Sequence, residues 1–441
     1  MSSEKYKNQN SEVCKNILEK TYFSSWRNVD SNSKIPCQYE EIELIINGKC
    51  DQACKYCYLT RFGNELYPLE LNDDERISKN CSMLFDWFFN HGLKPNISLF
   101  LGEVLNQNIG YEILEKSIDF YIKSGKKGRI LIPSNMNFVH MPEYYNSFVR
   151  AYNRAKNHDI EIKLSASFDG LYCDSSRPMK SGIIRDEEYY NKIFEFGKKY
   201  ECGFHPMIHN EAIEHWIDNF LWFQKKFEEY DISWRSMYLL EVRNDGWTPE
   251  QTQNYAKFLD FLIDWLKNKL QLSKENFVGY ILKESPLNIF SIFTNIGRGI
   301  SCSIQTVNQL RLVDLTTYAC HRLMYKPFAL WKFVDNGKEI VDIESLNLEL
   351  QIGLQASVTK DFPYCEQCFI KALCLGGCLG SQYETTGDMF TPIPSVCSLL
   401  HTKVATILDK FKELGLIPIL MDRIDVDKKL LIKNYFKIFK E

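Results

Sequence analysis

Residues 41–58 read EIELIINGKCDQACKYCY. The first six, Glu41 to Ile46, form a strand candidate that runs directly into three cysteines spaced C-x3-C-x2-C: Cys50, Cys54 and Cys57. Three thiolates therefore share one tight loop at the C-terminal end of a strand. They leave the fourth iron of a cubane without a protein ligand, and an iron with an open position can chelate a small molecule, whereas a cluster with four cysteines mainly passes electrons. A zinc loop is the competing reading, although zinc normally takes a fourth ligand and pairs C-x2-C units.

Downstream of this loop, strand and helix signals alternate. A helix-period segment over 73–90 carries Leu84, Trp87 and Phe88 on one face. NISLFLG (96–102), RILIPS (129–134), EIKLSASF (161–168), CGFHPMI (202–208) and SMYLLEV (236–242) are short β-rich runs separated by longer helical patterns. Such repetition implies an α/β fold around a parallel sheet with right-handed crossovers, doubly wound or curled into a barrel. Helix starts agree: Asp73 and its neighbours can cap the first helix, and Thr248-Pro249-Glu250-Gln251 has the makings of a capping box. After Val278 the alternation fades, and 296–400 reads as cysteine-rich, turn-rich and short of regular structure.

The chain has 441 residues, 45% hydrophobic, with a formal net charge of -4 and no basic block, so nucleic acid is not an expected partner. The start, MSSEKYKNQNSEVCKN, has no apolar h-region, and no window approaches a membrane span, which predicts a cytoplasmic protein without membrane association. In that compartment thiols stay reduced, so the fifteen cysteines are expected as ligands or core residues, not disulfides.

The first loop, with Tyr56 just before its last cysteine, resembles the radical S-adenosylmethionine superfamily. The resemblance implies a partial (β/α)6 TIM-like barrel. It also implies a [4Fe-4S] cluster on Cys50, Cys54 and Cys57 that binds S-adenosyl-L-methionine and cleaves it to a 5'-deoxyadenosyl radical, which abstracts hydrogen from substrate. Other stretches are similar to the family's cofactor-binding elements. Leu101-Gly102-Glu103 resembles its glycine-glycine-glutamate motif with Leu101 in place of the first glycine. Pro133-Ser134-Asn135 resembles a threonine-asparagine-glycine turn, and Ser167-Phe168-Asp169-Gly170 with Arg177 resembles the element beside the ribose and carboxylate. Each lies at the end of an expected strand, where ligands of such folds bind.

Cys365-x2-Cys368-x5-Cys374-x3-Cys378, followed by Cys397, resembles the SPASM extension, which carries two auxiliary [4Fe-4S] clusters. The resemblance implies Cys365, Cys368, Cys374 and Cys397 at the outer cluster and Cys302, Cys320 and Cys378 at the inner one. Where the family pattern has a glycine five residues before the cysteine matched by Cys320, this chain has Leu315. A zinc site and a purely structural cluster are the competing readings of these cysteines. The expected organisation is an extension over 1–37, the radical core over 38–285, the SPASM domain over 286–405 and a helical tail over 406–441.

Enzymes of this architecture act on peptides and proteins. The resemblance thus implies an oxidoreductase that crosslinks side chains of a ribosomally made peptide through thioether or carbon–carbon bonds. A sulfatase maturase forming formylglycine is the alternative, and a non-catalytic iron–sulfur electron carrier is the reading from a different class. A flavodoxin or ferredoxin is the expected electron donor. Forty-nine residues precede Cys50, too few for a leader-binding winged helix, so leader recognition is expected from a separate protein, the barrel face or the tail. Glu241 and Arg243 at the end of the last strand run, and Asp314, are the candidate catalytic side chains, with an ordinary ion pair as the plain reading of the first two. The tail over 423–440 is expected as an amphipathic helix packed on its own domain.

Overall fold

A computed structural model of the chain describes residues 41–294, 308–347, 350, 363–374 and 377–439; the expected extension over 1–37 and Cys302 lie outside the described residues. The chain begins with β1 (Glu41–Ile45), helices Tyr58–Leu66 and Asp74–Asn90, β2 (Asn96–Phe100), helix Asn108–Ser124, β3 (Arg129–Ser134), helix Pro142–Asn157 and β4 (Glu161–Ala166). Helix Glu187–Lys199, β5 (Gly203–Phe204), β6 (Met207–Ile208), helix Trp216–Glu229, β7 (Leu240–Glu241) and helices Pro249–Leu270 and Lys274–Glu284 follow. Then come β8 (Asn308–Arg311), β9 (Thr316–Tyr318), β10 (Ala329–Asp335) and β11 (Ile340–Ser345). Helices Leu379–Thr386, Pro394–Glu413, Ile417–Arg423 and Val426–Phe439 close the chain.

The class is α/β with a mostly parallel central sheet, as the alternating pattern predicts. Strand order is β11-β10-β9-β8-β1-β2-β3-β4-β5, with β1 to β4 parallel and in sequence order. Alternation sorts the two faces of these strands. Ile42, Leu44, Ile97, Leu99, Ile130, Ile132, Ile162 and Leu164 are buried, whereas Glu41, Glu43, Asn96, Ser98, Arg129, Glu161 and Lys163 on the other face keep solvent contact. The first long helix starts at its Asp73 cap, which accepts from Arg76 N at 3.0 Å, and buries Leu84, Trp87 and Phe88. Thr248 and Gln251 form the capping box.

Three expectations change. The run 202–208 splits into β5 and β6, because Pro206 between them has no N–H to give to a ladder. Of the run 236–242 only Leu240–Glu241 forms a strand, pairing with β6 in a separate two-stranded sheet. Nor are the described residues of 296–400 short of regular structure: β8 pairs parallel with β1, and β9 to β11 extend the main sheet antiparallel. β8 and β9 span only four and three residues, β10 is buried along most of its length and β11 is mostly exposed, so none of them shows the two-residue alternation of β1 to β4.

The chain divides into two compact units. One holds the sheet strands β1 to β4 and β8 to β11, with residues 178–203. The other holds Phe168–Arg177, the segment after Gly203 through the helices to residue 294, and the C-terminal stretch from 363. In the second unit the helix Pro394–Glu413 packs along Pro249–Leu270, and Lys410 meets Asp264 at 2.7 Å and Asp260 at 3.4 Å. In the tail, Leu431, Ile432 and Tyr435 are buried, and Tyr435 donates to Asp409 at 3.1 Å, while Val426 and Leu430 are exposed. Cys81, Cys173 and Cys202 are buried small hydrophobes. Among the described residues no helix is long and apolar enough to cross a membrane.

Candidate functional site

The cysteine loop leaves the end of β1 and closes on the helix Tyr58–Leu66, whose N-cap is Cys57. Cys57 N donates to Cys54 O at 3.0 Å, and Gln52 N points to Cys50 Sγ at 3.4 Å. Asp51 fixes the loop from within. Its Oδ1 accepts from Asn135 Nδ2 at 2.6 Å, and its Oδ2 from Asn106 Nδ2 at 2.8 Å and Asn137 Nδ2 at 2.7 Å. A second clamp comes from 178–180: Ala53 N donates to Pro178 O, Lys180 N to Asp51 O, and Lys180 Nζ to Cys50 O at 3.0 Å. Sequence reasoning missed Asp51, Asn106 and Asn137. Nothing local signals them, because their partners arrive from separate turns.

Below the loop lies the turn after β2. Leu101 and Gly102 both have positive φ, 79° and 55°, and a Cβ on Gly102 would stand 2.2 Å from Lys49 O. Only glycine allows that approach, and Glu103 N uses it to donate to Lys49 O at 2.8 Å. The buried Glu103 carboxylate accepts from Asn135 N at 2.6 Å, Ser134 Oγ at 2.9 Å and Leu105 N at 3.1 Å. Burial pushes its carboxyl up to about 7, helped by the nearby Asp51 charge and opposed by these hydrogen bonds. Burial and the Glu103 charge likewise push the Cys50 thiol up. Gly102, Glu103, Ser134 and Asn135 thus gather with Cys50 around one loop. Ser167 joins the same unit, donating its N–H to Ser134 O at 2.7 Å, and Tyr56 is half-buried on the loop itself.

Past the loop, Tyr58 stacks on His321 with ring centroids 5.1 Å apart, and His321 faces Phe100 at 4.6 Å. The Arg322 guanidinium lies 5.5 Å from the Tyr58 ring, and Arg322 N points to Cys320 Sγ at 3.4 Å. Burial, then the neighbouring Cys57 and Cys320, push the Tyr58 hydroxyl up. Asp314 stands in the turn between β8 and β9, where Arg311 grips it in bidentate fashion at 3.1 and 2.6 Å. Leu315, next to it, has φ of 55° and is buried.

In the second unit Asp169 meets Arg177 Nε at 2.9 Å, both buried, and accepts from Met207 N at 2.9 Å. Glu241 accepts from Tyr255 OH at 2.6 Å and from Lys403 Nζ, while Arg243 Nη2 stands 3.9 Å away. Burial acts to raise the Glu241 carboxyl, and the Lys403 and Arg243 charges overcome it, holding the group down at about 2. Lys403 carried no sequence signal of this role.

Cys365, Cys368, Cys374, Cys378 and Cys397 line one cavity in this unit together with His401. Cys397 projects from the helix Pro394–Glu413, and burial, with Cys365 and Cys368 nearby, pushes its thiol up to about 11. His401 Nε2 stands 3.4 Å from Cys368 Sγ. Sequence reasoning passed over His401, although its C-x3-H spacing to Cys397 puts both on one helix face. Cys378, expected at the inner cluster, faces this cavity too. Among the described residues no three His, Cys, Asp or Glu side chains are arranged as a ready-made single-ion site.

No family model matches the sequence, and no curated protein matches it. Solved structures match in fold. Hexahistidine-tagged anSMEcpe with bound AdoMet, an anaerobic sulfatase-maturating enzyme of the SPASM radical SAM type, aligns at a TM-score of 0.55 and 15% identity, covering 90% of this chain and 99% of that one. Native anSMEcpe with bound AdoMet and Kp18Cys peptide aligns at 0.56 and 15%, covering 87% and 99%. Streptococcus suis SuiB bound to precursor peptide SuiA aligns at 0.46 and 13%, covering 81% and 76%. The chain therefore has the fold of a SPASM radical SAM enzyme.

Proposed function

We propose that the chain is a radical S-adenosylmethionine enzyme that modifies a peptide. The observation that carries the proposal is the buried Glu103 carboxylate beside Cys50, pushed up to about 7 by that burial. Three sulfurs on one loop, with no fourth side chain offered by it, suit a cubane with an open corner. Cys50, Cys54 and Cys57 would hold the cluster. When bound, cluster and S-adenosylmethionine supply the electron transfer and sulfonium cleavage that start radical chemistry. Glu103 would receive the ammonium group of the cofactor, and Ser134 and Asn135 keep that carboxylate aimed. Asp51 keeps the loop in shape. Ser167, Asp169 and Arg177 are proposed at the rest of the cofactor, and Tyr56 on the loop beside it.

The auxiliary clusters belong to the same proposal: Cys365, Cys368, Cys374 and Cys397 for the outer one, Cys302, Cys320 and Cys378 for the inner. Asp314 and Glu241 have their carboxylates engaged by arginine and lysine, which favours holding roles for them, with Arg243 beside Glu241. The substrate proposed is a peptide crosslinked between side chains, delivered with or without a separate leader-binding protein, with a flavodoxin or ferredoxin as donor. The solved anSMEcpe complexes with Cp18Cys and Kp18Cys peptides favour, as a second reading, oxidation of a peptide cysteine to formylglycine.

The test is anaerobic reconstitution followed by S-adenosylmethionine and dithionite. Formation of 5'-deoxyadenosine, lost when Cys50, Cys54 and Cys57 are alanine, is expected; none in the intact chain refutes the proposal and leaves the electron carrier. With candidate peptides, mass loss of two hydrogens alone marks a crosslink, and loss of two hydrogens together with exchange of sulfur for an aldehyde oxygen marks formylglycine.

A further inference from the structure

His401 lies four residues beyond Cys397 on the helix Pro394–Glu413, so its imidazole faces the same cavity as the five cysteines. Phe369 flanks the ring, with centroids 4.8 Å apart and planes at 54°, which limits how it turns. Nε2 then stands 3.4 Å from Cys368 Sγ. A thiolate accepts and cannot donate, so a contact of this kind with a metal-bound Cys368 requires the proton on Nε2. The four sulfurs proposed for this cluster, Cys365, Cys368, Cys374 and Cys397, already fill one cubane, so the imidazole is left to serve a sulfur without binding iron.

We propose that His401 donates its Nε2–H to Cys368 Sγ and so sets the reduction potential of the outer auxiliary cluster. This rests on the auxiliary clusters proposed above. One-electron reduction adds negative charge that spreads onto the sulfurs, and an N–H aimed at a sulfur favours the reduced state more than the oxidised one. His401 is thus a positioning residue that raises the potential.

The experiment is a redox titration followed by electron paramagnetic resonance on the full reconstituted chain, with Cys50, Cys54 and Cys57 replaced by alanine to silence the first cluster. His401→Phe should leave iron and sulfide content unchanged and move one auxiliary midpoint negative, by up to tenfold in the reduction equilibrium, about 59 mV for one electron. His401→Gln, which keeps an N–H, should recover part of the shift, and the other midpoint should stay fixed. A full iron content with no midpoint moved overturns the role of His401 alone. Loss of about four irons per chain in both variants makes His401 a ligand and overturns the donor role as well. Zinc, or no metal, on Cys365, Cys368, Cys374 and Cys397 in the wild-type residue background refutes the auxiliary-cluster proposal and this inference with it.

Discussion

Asp51 gathers three amides from 55, 84 and 86 residues away onto one carboxylate. A charged acceptor with three donors is strongly held, each such bond contributing about 1.5–3 kcal/mol. Asp51→Asn turns one acceptor into a donor facing donors, and should destabilise the chain by roughly 3 kcal/mol in urea unfolding. It should also lower iron retention on the first loop; unchanged iron and stability would make the hub ornamental. Glu103 offers a pH test. Its folded carboxyl is raised, so its proton is kept while the unfolded chain ionises, and stability falls as pH rises from its ordinary 4.5 to about 7. The loss is roughly 3 kcal/mol, and the same limb in Glu103→Gln should be flatter by that amount. Glu43, also raised to about 7 by burial, keeps part of the slope in both chains. Affinity for S-adenosylmethionine should rise with pH through about 7, as Glu103 sheds its proton for the ammonium. A pH-independent affinity in the wild type would contradict this role.

At the scale of the element, Leu101 and Leu315 stand where the motifs this sequence resembles have glycine, and both have the left-handed backbone that favours glycine, with φ of 79° and 55°. That conformation costs a branched L-residue about 1–2 kcal/mol, while burying a leucine contributes about 1.5–3. Burial wins, so Leu315→Gly is expected to destabilise the β8–β9 turn by about 1–2 kcal/mol despite relaxing it. A rise in melting temperature would reverse that balance. In the second unit the helix Pro394–Glu413 is tied to β7 by Lys403 and Glu241, 162 residues apart and both buried. Removing one partner of such a pair costs about 3–5 kcal/mol, so Lys403→Met should unfold at lower denaturant, and adding Glu241→Gln should recover much of the loss. Because the Glu241 carboxyl is held at about 2, its stabilisation is full above the ordinary carboxylate range and lost as pH falls from 4.5 toward 2. Lys403→Met should blunt that acid limb.

Across the whole molecule, three cubanes predict about twelve irons and twelve sulfides per chain. Replacing Cys365 and Cys397 with alanine should bring iron to about eight while cleavage of S-adenosylmethionine persists. A wild-type chain with about four irons would remove the auxiliary clusters. Much of this was readable in the residues themselves. The spacings of Cys50, Cys54, Cys57 and of Cys365 to Cys378 are short-range, and the two-residue alternation in β1 to β4 sorts apolar from polar without reference to any neighbour. Caps at Asp73 and Thr248 are likewise written within four residues.

What the amino-acid order determined, then, is a cysteine loop at the end of a strand in an alternating α/β chain, because strand period, turn chemistry and ligand spacing act over a few residues. Only the tertiary structure decided that β8 to β11 extend the sheet, that three asparagines serve Asp51, that Lys403 neutralises Glu241 and that His401 reaches Cys368. Buried polar atoms must find partners wherever the chain returns to them, and that return is set by packing across long separations, which no local pattern encodes.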